Sequence, residues 1–345
     1  MNNYDYDSFK NSIIEPIDYR ESTLSSEYNH LIDIEMEVSN QKKSELHSTL
    51  LFALSMIVTG INHFHFKYMK KSIGLENYNE FSFVCIRCIF IIILNYIKMY
   101  YNKETINPLS ELIYLNWFWI RNLFQFFTVI PILFLVSFFR VSTASCFVSM
   151  APAVIIIMSC IILKEKFYWR YVYGMLICFF GVILIIYNDY INEDTSNKKK
   201  GFIHLIEGFL IGCCQLIGAA LHRVSCKVLV KLKVNDNAQL IYPSYTCIIL
   251  SIFCFFVFKI DFKYGFWLIF HSFINSIIWL ITTILMLISL KGVDLIKTTA
   301  LNYVNIVTVF ILGVVFLGEK VHITDVLGSL IILGYNVLNT VYPPK

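Results

Sequence analysis

The stretch LKEKFYWRYVYG, Leu163 to Gly174, decides the reading of this chain, because it returns as LGEKVHITDVLG, Leu317 to Gly328. In both copies an apolar run ends on Leu, Glu and Lys mark a turn, and Gly falls nine residues after the Glu as a second apolar run begins. Leu163, Glu165, Lys166, Val172 and Gly174 match Leu317, Glu319, Lys320, Val326 and Gly328 at a constant offset of 154 residues, and Leu176-Ile177 continue the match to Leu330-Ile331. Self-similarity at so long a period marks two related halves.

Outward from each elbow the chain is apolar. Its 345 residues are 57% hydrophobic and 15% charged, with a mean hydropathy of +0.65, which is the composition of an integral membrane protein. Ten apolar runs follow one another: 46–66, 81–101, 117–138, 142–163, 169–187, 202–224, 238–258, 267–290, 298–317 and 324–341. At about 1.5 Å per residue each is long enough to cross roughly 30 Å of hydrocarbon. A lone segment in lipid must satisfy its backbone internally, so each run is expected to be a helix. Five helices per half is an odd number, so the second half enters the membrane from the opposite side. The expected fold is therefore an all-α integral membrane protein of ten transmembrane helices, arranged as two inverted five-helix repeats at 46–187 and 202–341. A polar linker, 188–201, joins them, and 342–345 form a short tail.

Residues 1–45 carry ten acidic and four basic side chains, so this tail is −6 while the rest of the chain is +10. It reads as disordered and solvated, and Glu27-Tyr28-Asn29-His30-Leu31-Ile32 has the form of an acidic dileucine sorting signal. Lys and Arg in the connectors slightly favour cytoplasmic termini, and nothing separates a plasma membrane from an endomembrane. The ten cysteines lie mostly inside apolar runs, where Cys behaves as a small hydrophobe. Cys85 and Cys88 form a C-x-x-C without a second pair, so no metal site is expected. No H-E-x-x-H, G-x-S-x-G or P-loop is present, which argues against an enzyme, a cofactor or a nucleic-acid partner. The expected partners are a small-molecule substrate and the lipid bilayer, with a homodimer left open.

An ionisable group at membrane depth is costly and is a functional candidate. Arg87 lies about 9 Å into its run by rise per residue, with almost no carboxylate in the apolar runs to pair with it. It is expected to attract an anionic or carbonyl-bearing solute, or else to hold helix-end carbonyls. Asn62, Gln125, Gln215, Asn275, Asn302 and Asn305 are amides within the apolar runs that either crosslink helices or line a polar cavity with Arg87. Tyr242 and Pro243-Ser244 interrupt the seventh run, as Pro152 does the fourth, and carbonyls freed at such breaks often line a cavity. His63, His65 and His222 are candidate proton relays. Glu165, Gly174, Glu319 and Gly328 are read as repeat markers: a Glu beside Lys at a helix end, and a Gly that permits close helix approach.

Ten helices in two halves, Arg87 and Arg121 early in the second and third runs, Pro152 in the fourth, and the two elbows resemble the drug/metabolite transporter superfamily, in its EamA-like branch. The resemblance covers about 46–341. It implies a multi-pass secondary transporter working by alternating access, with helices one to four and six to nine around the cavity and five and ten peripheral. The multidrug exporters of that superfamily carry a Glu within the first helix, which is absent here, so exchange or facilitated movement of a small polar or anionic metabolite is the expected function. A proton-coupled drug or amino-acid exporter, or a receptor or scaffold that moves nothing, are the alternatives. Gly174 and Gly181 are seven apart, whereas Gly328 and Gly334 are six apart with Tyr335 at the equivalent place, so the packing of the last helix is expected to differ. The bias toward Asn, Lys, Ile and Tyr resembles that of proteins from AT-rich protozoan genomes.

Overall fold

The computed structural model describes residues 44–71, 79–138, 141–164, 169–184 except 171, 172, 175, 178, 179 and 182, then 198–292, 295, 300–318 and 323–341. The acidic tail, its dileucine-like pattern, Glu165 and Glu319 lie outside the described residues. The chain divides into two units, Met1–His47 and Ser48–Lys345, and the contacts below all belong to the second.

Which side chains face outward identifies the solvent. In the helix Phe266–Gly292, His271, Ser272, Asn275, Ser276, Thr283 and Ser289 are buried, while Trp267, Phe270, Phe273, Ile277, Ile281 and Ile288 are exposed. Spacings of three and four residues put the two sets on separate faces, the polar one inside. A water-soluble helix is arranged the other way; this one is built for lipid.

Every apolar run falls on helix wherever it is described, with 3-10 geometry at Ala300–Tyr303. In chain order the helices are α1 (Ser44–Lys71), α2 (Glu80–Asn102), α3 (Asn116–Phe138), α4 (Val141–Ile162), α5 (the described positions of 169–184), α6 (Lys198–Lys231), α7 (Asp236–Phe258), α8 (Phe266–Gly292), α9 (Val304–Leu317) and α10 (Ile323–Val341). Six of them, α1, α2, α3, α6, α7 and α8, contain stretches long and apolar enough to cross a membrane. No strand occurs among the described residues. The protein is a multi-pass membrane protein. One boundary differs from the expectation: Lys198–Gly201, read as linker, are already helical, and α6 runs on past Val224 to Lys231. Lysine is a good helix former and continues the helix beyond the apolar run at both ends.

Helices from the two parts of the chain interleave. α2 packs on α7 and α8, α3 on α6 and α7, and α4 on α6 and α9. Apolar clusters fill the space between them, one around Phe52, Ile155, Ala220, Leu240 and Leu287, another around Phe66, Phe83, Leu135, Leu268 and Val309.

Individual features recur at matched positions. α2 and α7 are both 23 residues long. Each starts on an Asn whose side chain accepts a backbone N–H (Asn79 from Ser82, Asn235 from Asn237), continues with an acid (Glu80, Asp236), and ends on a left-handed Lys (Lys103 at φ 53°, Lys259 at φ 51°). The Asn satisfies an orphan amide at the helix start, and the Lys places its charge at the negative end of the dipole. After α4 and α9 the left-handed residues are Lys164 and Gly318, again 154 apart. Lys67 on α1 donates to the Val136 carbonyl of α3 at 2.6 Å, and Lys227 on α6 donates to the Leu290 carbonyl of α8 at 2.7 Å.

The last helix answers the question raised by its altered glycine spacing. A Cβ on Gly174 would lie within 2.0 Å of two ring atoms and the hydroxyl oxygen of Tyr335, so the glycine on α5 is what admits this tyrosine of α10. The Tyr335 hydroxyl donates to the Arg170 carbonyl at 2.8 Å. Gly334 has nothing within 4 Å of its would-be Cβ, so close approach here depends on Gly174.

Candidate functional site

Arg121, four positions after Trp117 on α3, is fully buried and reaches three helices. It donates to Gln125 Oε1 at 3.0 Å, to His222 Nε2 on α6, and to the Gln239 carbonyl on α7 at 3.1 Å. That carbonyl is open because Pro243, four residues on, has no N–H to give it. The break expected at Tyr242-Pro243 therefore does expose a carbonyl, and an arginine takes it. Arg has donors only, so His222 Nε2 must accept and the imidazole holds no proton there. The second proline-freed carbonyl is Phe127 O, released by Pro131 in α3, and Gly218 of α6 lies against it: a Cβ there would be 2.7 Å from the oxygen. This approach suits a Cα–H···O contact, which any side chain would block.

Arg87 on α2 is also buried, at 2% exposure, but less completely partnered. Its Nη1 donates to Asn275 Oδ1 on α8 at 3.4 Å, a long bond, its guanidinium lies 5.9 Å from the Trp279 ring, and its Nε has no partner. From Asn275 a chain of bonds leaves in one direction. Since the Asn275 oxygen faces Arg87, its amide nitrogen donates to Asn62 Oδ1 at 2.5 Å and to His65 Nδ1 at 3.4 Å. His65 Nε2–H then donates to His271 Nδ1 at 3.2 Å, and the His271 ring stacks on Trp267. Each donor is fixed by the one before it, so the tautomers follow from the arginine.

Arg223 on α6 is the third interior guanidinium. It donates to Asn302 Oδ1, lies 3.7 Å from Met56 Sδ and sits 5.8 Å from the Phe52 ring. His63 lies in the field of both Arg87 and Arg223, and Cys247 in that of Arg87 and Arg121, so the three charges share one interior. Among the described residues none of the three has a carboxylate within ion-pair distance. A buried charge costs several kcal/mol to desolvate unless it is compensated.

The sequence-derived candidates divide. Asn62 and Asn275 join Arg87, while Gln125 and His222 join Arg121. Gln215 and Asn305 are buried, and Gln215 Oε1 and Asn305 Oδ1 have no partner. His63 Nδ1 is likewise unpartnered. Tyr242 stands apart, with its hydroxyl on the Asn107 carbonyl at 3.0 Å and its ring on Phe118 at the α2–α3 connector. Gly174 and Gly328 are buried in their helices. Asn302, one of the amides expected within the apolar runs, joins Arg223, whereas sequence reasoning left out Arg223, His271 and Gln239 as site members; the ionisable residue within a long apolar run was the available signal for Arg223 and His271.

Residues 47–187 match the model of the EamA-like transporter family, part of the drug/metabolite transporter superfamily, so the expected resemblance is borne out over this stretch. No curated protein matches the chain. Among solved structures, one described only as "Crystal structure of protein" superposes over 85% of this chain and 98% of its own, with a TM-score of 0.58 at 13% identity. That likeness concerns the fold alone.

Proposed function

We propose that the chain is a secondary transporter of the drug/metabolite type, which moves a small polar or anionic organic metabolite by alternating access, through exchange or facilitated transport rather than any enzymatic step. In this reading ten helices cross the membrane as two inverted repeats, both termini are cytoplasmic, and the cargo binds between the repeats. The matched caps of α2 and α7, the Lys67 and Lys227 contacts and the left-handed Lys164 and Gly318 support the repeat. So does the pairing of helices, since exchanging the repeats carries α2–α7 and α4–α9 onto themselves and turns α2–α8 into α7–α3.

The observation that supports an anionic cargo is the trio Arg87, Arg121 and Arg223 with no carboxylate within ion-pair distance among the described residues. Of the three, Arg87 is the one whose partners leave room for cargo. Its hydrogen bond to Asn275 is long and its Nε is unpartnered among the described residues, whereas Arg121 is tied to two other helices besides its own. Asn62 and Asn275 orient it, and Gln215 and Asn305 offer unpartnered oxygens to hydroxyl or amide hydrogens of a polar solute. The test is purified protein in liposomes preloaded with labelled anionic, neutral or cationic metabolites. Anion-for-anion exchange without a pH gradient, reduced at least tenfold in Arg87→Gln with folding intact, is the expected result. Uptake of cations or neutral solutes alone would overturn it.

One observation favours a second reading, a proton-coupled exporter: the His65–His271 contact joins two titratable rings to Arg87 through Asn275. Accumulation that requires an imposed pH gradient and is lost in His65→Gln would select it.

A further inference from the structure

α6 carries Arg223, Lys227 and Lys231 at four-residue spacing, which places them along one face of the helix. The first is in the interior, the second is buried at 6% exposure, and the third is exposed. Where this stripe reaches the end of the helix it opens on a pocket of about 790 Å³, between the α6–α7 turn, the end of α8 and the α2–α3 connector. Its wall is built: Asn235 donates its backbone N–H to Asn107 Oδ1 at 2.8 Å and its side chain to the Thr105 carbonyl at 2.7 Å, which ties the connector to the turn. Lys227, Lys231, Lys233 and Lys291 line it, against the carboxylates of Asp236 and Glu111.

The Lys291–Asp236 ion pair, at 2.6 Å, removes one charge of each sign. Lys227 is set in the wall by its bond to the Leu290 carbonyl. Lys231 and Lys233 make no ion pair with any described residue. The opposite mouth differs. There the lysines that follow Lys67 on α1 are engaged by the protein, Lys70 on Glu80 at 2.5 Å and Lys71 on the Leu317 carbonyl at 3.0 Å. Positive charge is thus closed off at one mouth and gathered around a pocket at the other.

We propose that this pocket is a binding site for a phosphoryl group, a vestibule at the end of the α6 stripe distinct from the interior site at Arg87. Several ammonium groups as point charges suit a compact multivalent oxyanion, and the volume falls within the range of small-molecule sites. The phosphoryl group belongs either to a soluble phosphorylated solute, which lysines bind as point charges, or to a phospholipid headgroup, which basic pockets between helices at the membrane boundary recognise. The site does not depend on the nature of the transported cargo.

The test is thermal unfolding of the full chain in phosphatidylcholine nanodiscs, titrated with inorganic phosphate against chloride at equal ionic strength, and repeated with phosphatidic acid in the bilayer. A ligand that binds only the folded state raises the midpoint saturably. The expected result is such a rise, with an apparent affinity at least fivefold weaker in Lys231→Gln/Lys233→Gln and unchanged in Arg87→Gln. If phosphatidic acid itself raises the midpoint and weakens the phosphate response, and the double variant loses both effects, the ligand is the headgroup; a phosphate response unaffected by phosphatidic acid identifies a soluble one. The proposal is overturned if neither phosphate nor phosphatidic acid acts saturably, if the double variant responds like the wild type, or if Arg87→Gln rather than the lysine variant abolishes the response.

Discussion

Replacing Arg121 with Gln withdraws donors from Gln125, from His222 and from the carbonyl that Pro243 leaves open. Each buried acceptor left unmade costs about 1–3 kcal/mol, so Arg121→Gln should lower stability by about 3 kcal/mol or more and depress membrane yield. Arg87→Gln gives up one long bond and a ring contact and should cost less than about 1 kcal/mol while removing transport; melting midpoints of the detergent-purified proteins separate the two. The glycines make a second contrast. Gly218→Ala would drive a Cβ into the Phe127 carbonyl, which as backbone cannot yield, at a cost of about 1–3 kcal/mol. Gly334→Ala meets nothing and should be neutral or stabilising by up to about 1 kcal/mol, as the same melting assay would show. The sequence marked Arg87 and the amides by the expense of a polar group in lipid. Their pairing was not legible, because Asn275 lies 188 residues from Arg87 and only the fold brings them together.

At the scale of the helix, the apolar runs were readable because membrane thickness sets their length and lipid their composition. The ends were less so. α6 continues to Lys231 because nothing in Ser225–Lys231 breaks a helix, and a hydropathy pattern reports where the lipid stops, not where the helix does. The proline at 243 was visible as an interruption while the one at 131 was not singled out, and which group answers each freed carbonyl, Gly218 for Pro131 and Arg121 for Pro243, depends on neighbouring helices. The left-handed lysines have their own consequence. An L-residue in that conformation costs about 1–2 kcal/mol, and a cation at the helix end returns about 0.3–1 kcal/mol. Lys259→Gly should therefore stabilise the protein by about 0.5–1 kcal/mol, and Lys259→Ala should destabilise it by about 0.3–1 kcal/mol, since it keeps the backbone cost and loses the charge. Chemical denaturation of the two variants beside the wild type measures the difference in sign.

For the molecule as a whole, the matched positions have a mechanical meaning. Asn79 and Asn235, Glu80 and Asp236, and Lys103 and Lys259 stand at the same offset, so the two mouths are made of the same parts. They are not in the same state. At one mouth Lys70 holds Glu80, whose side chain is 9% exposed, at the start of α2. At the other the equivalent acid, Asp236, is held by Lys291 on the exposed rim of a pocket. In the proposed alternating-access cycle the two mouths exchange roles, and with the Lys70–Glu80 mouth as the closed one, its ion pair is part of the energy difference between conformations. Glu80→Gln removes that pair's charge while keeping the side chain's shape. If the contact favours the closed mouth by about 1–3 kcal/mol, its loss should shift the conformational ratio by about 5- to 150-fold. A cysteine placed at Ile260, in the α7–α8 connector beside α2, reports on that mouth in a background where the native cysteines have been replaced. Its labelling by a membrane-impermeant maleimide should accelerate in Glu80→Gln, while protection of the Lys231 and Lys233 vestibule rises in step. Equal labelling rates with and without the carboxylate would mean that the closed mouth is held by packing around Phe66 and Phe83 alone, and that the ion pair does not set the balance between the two states.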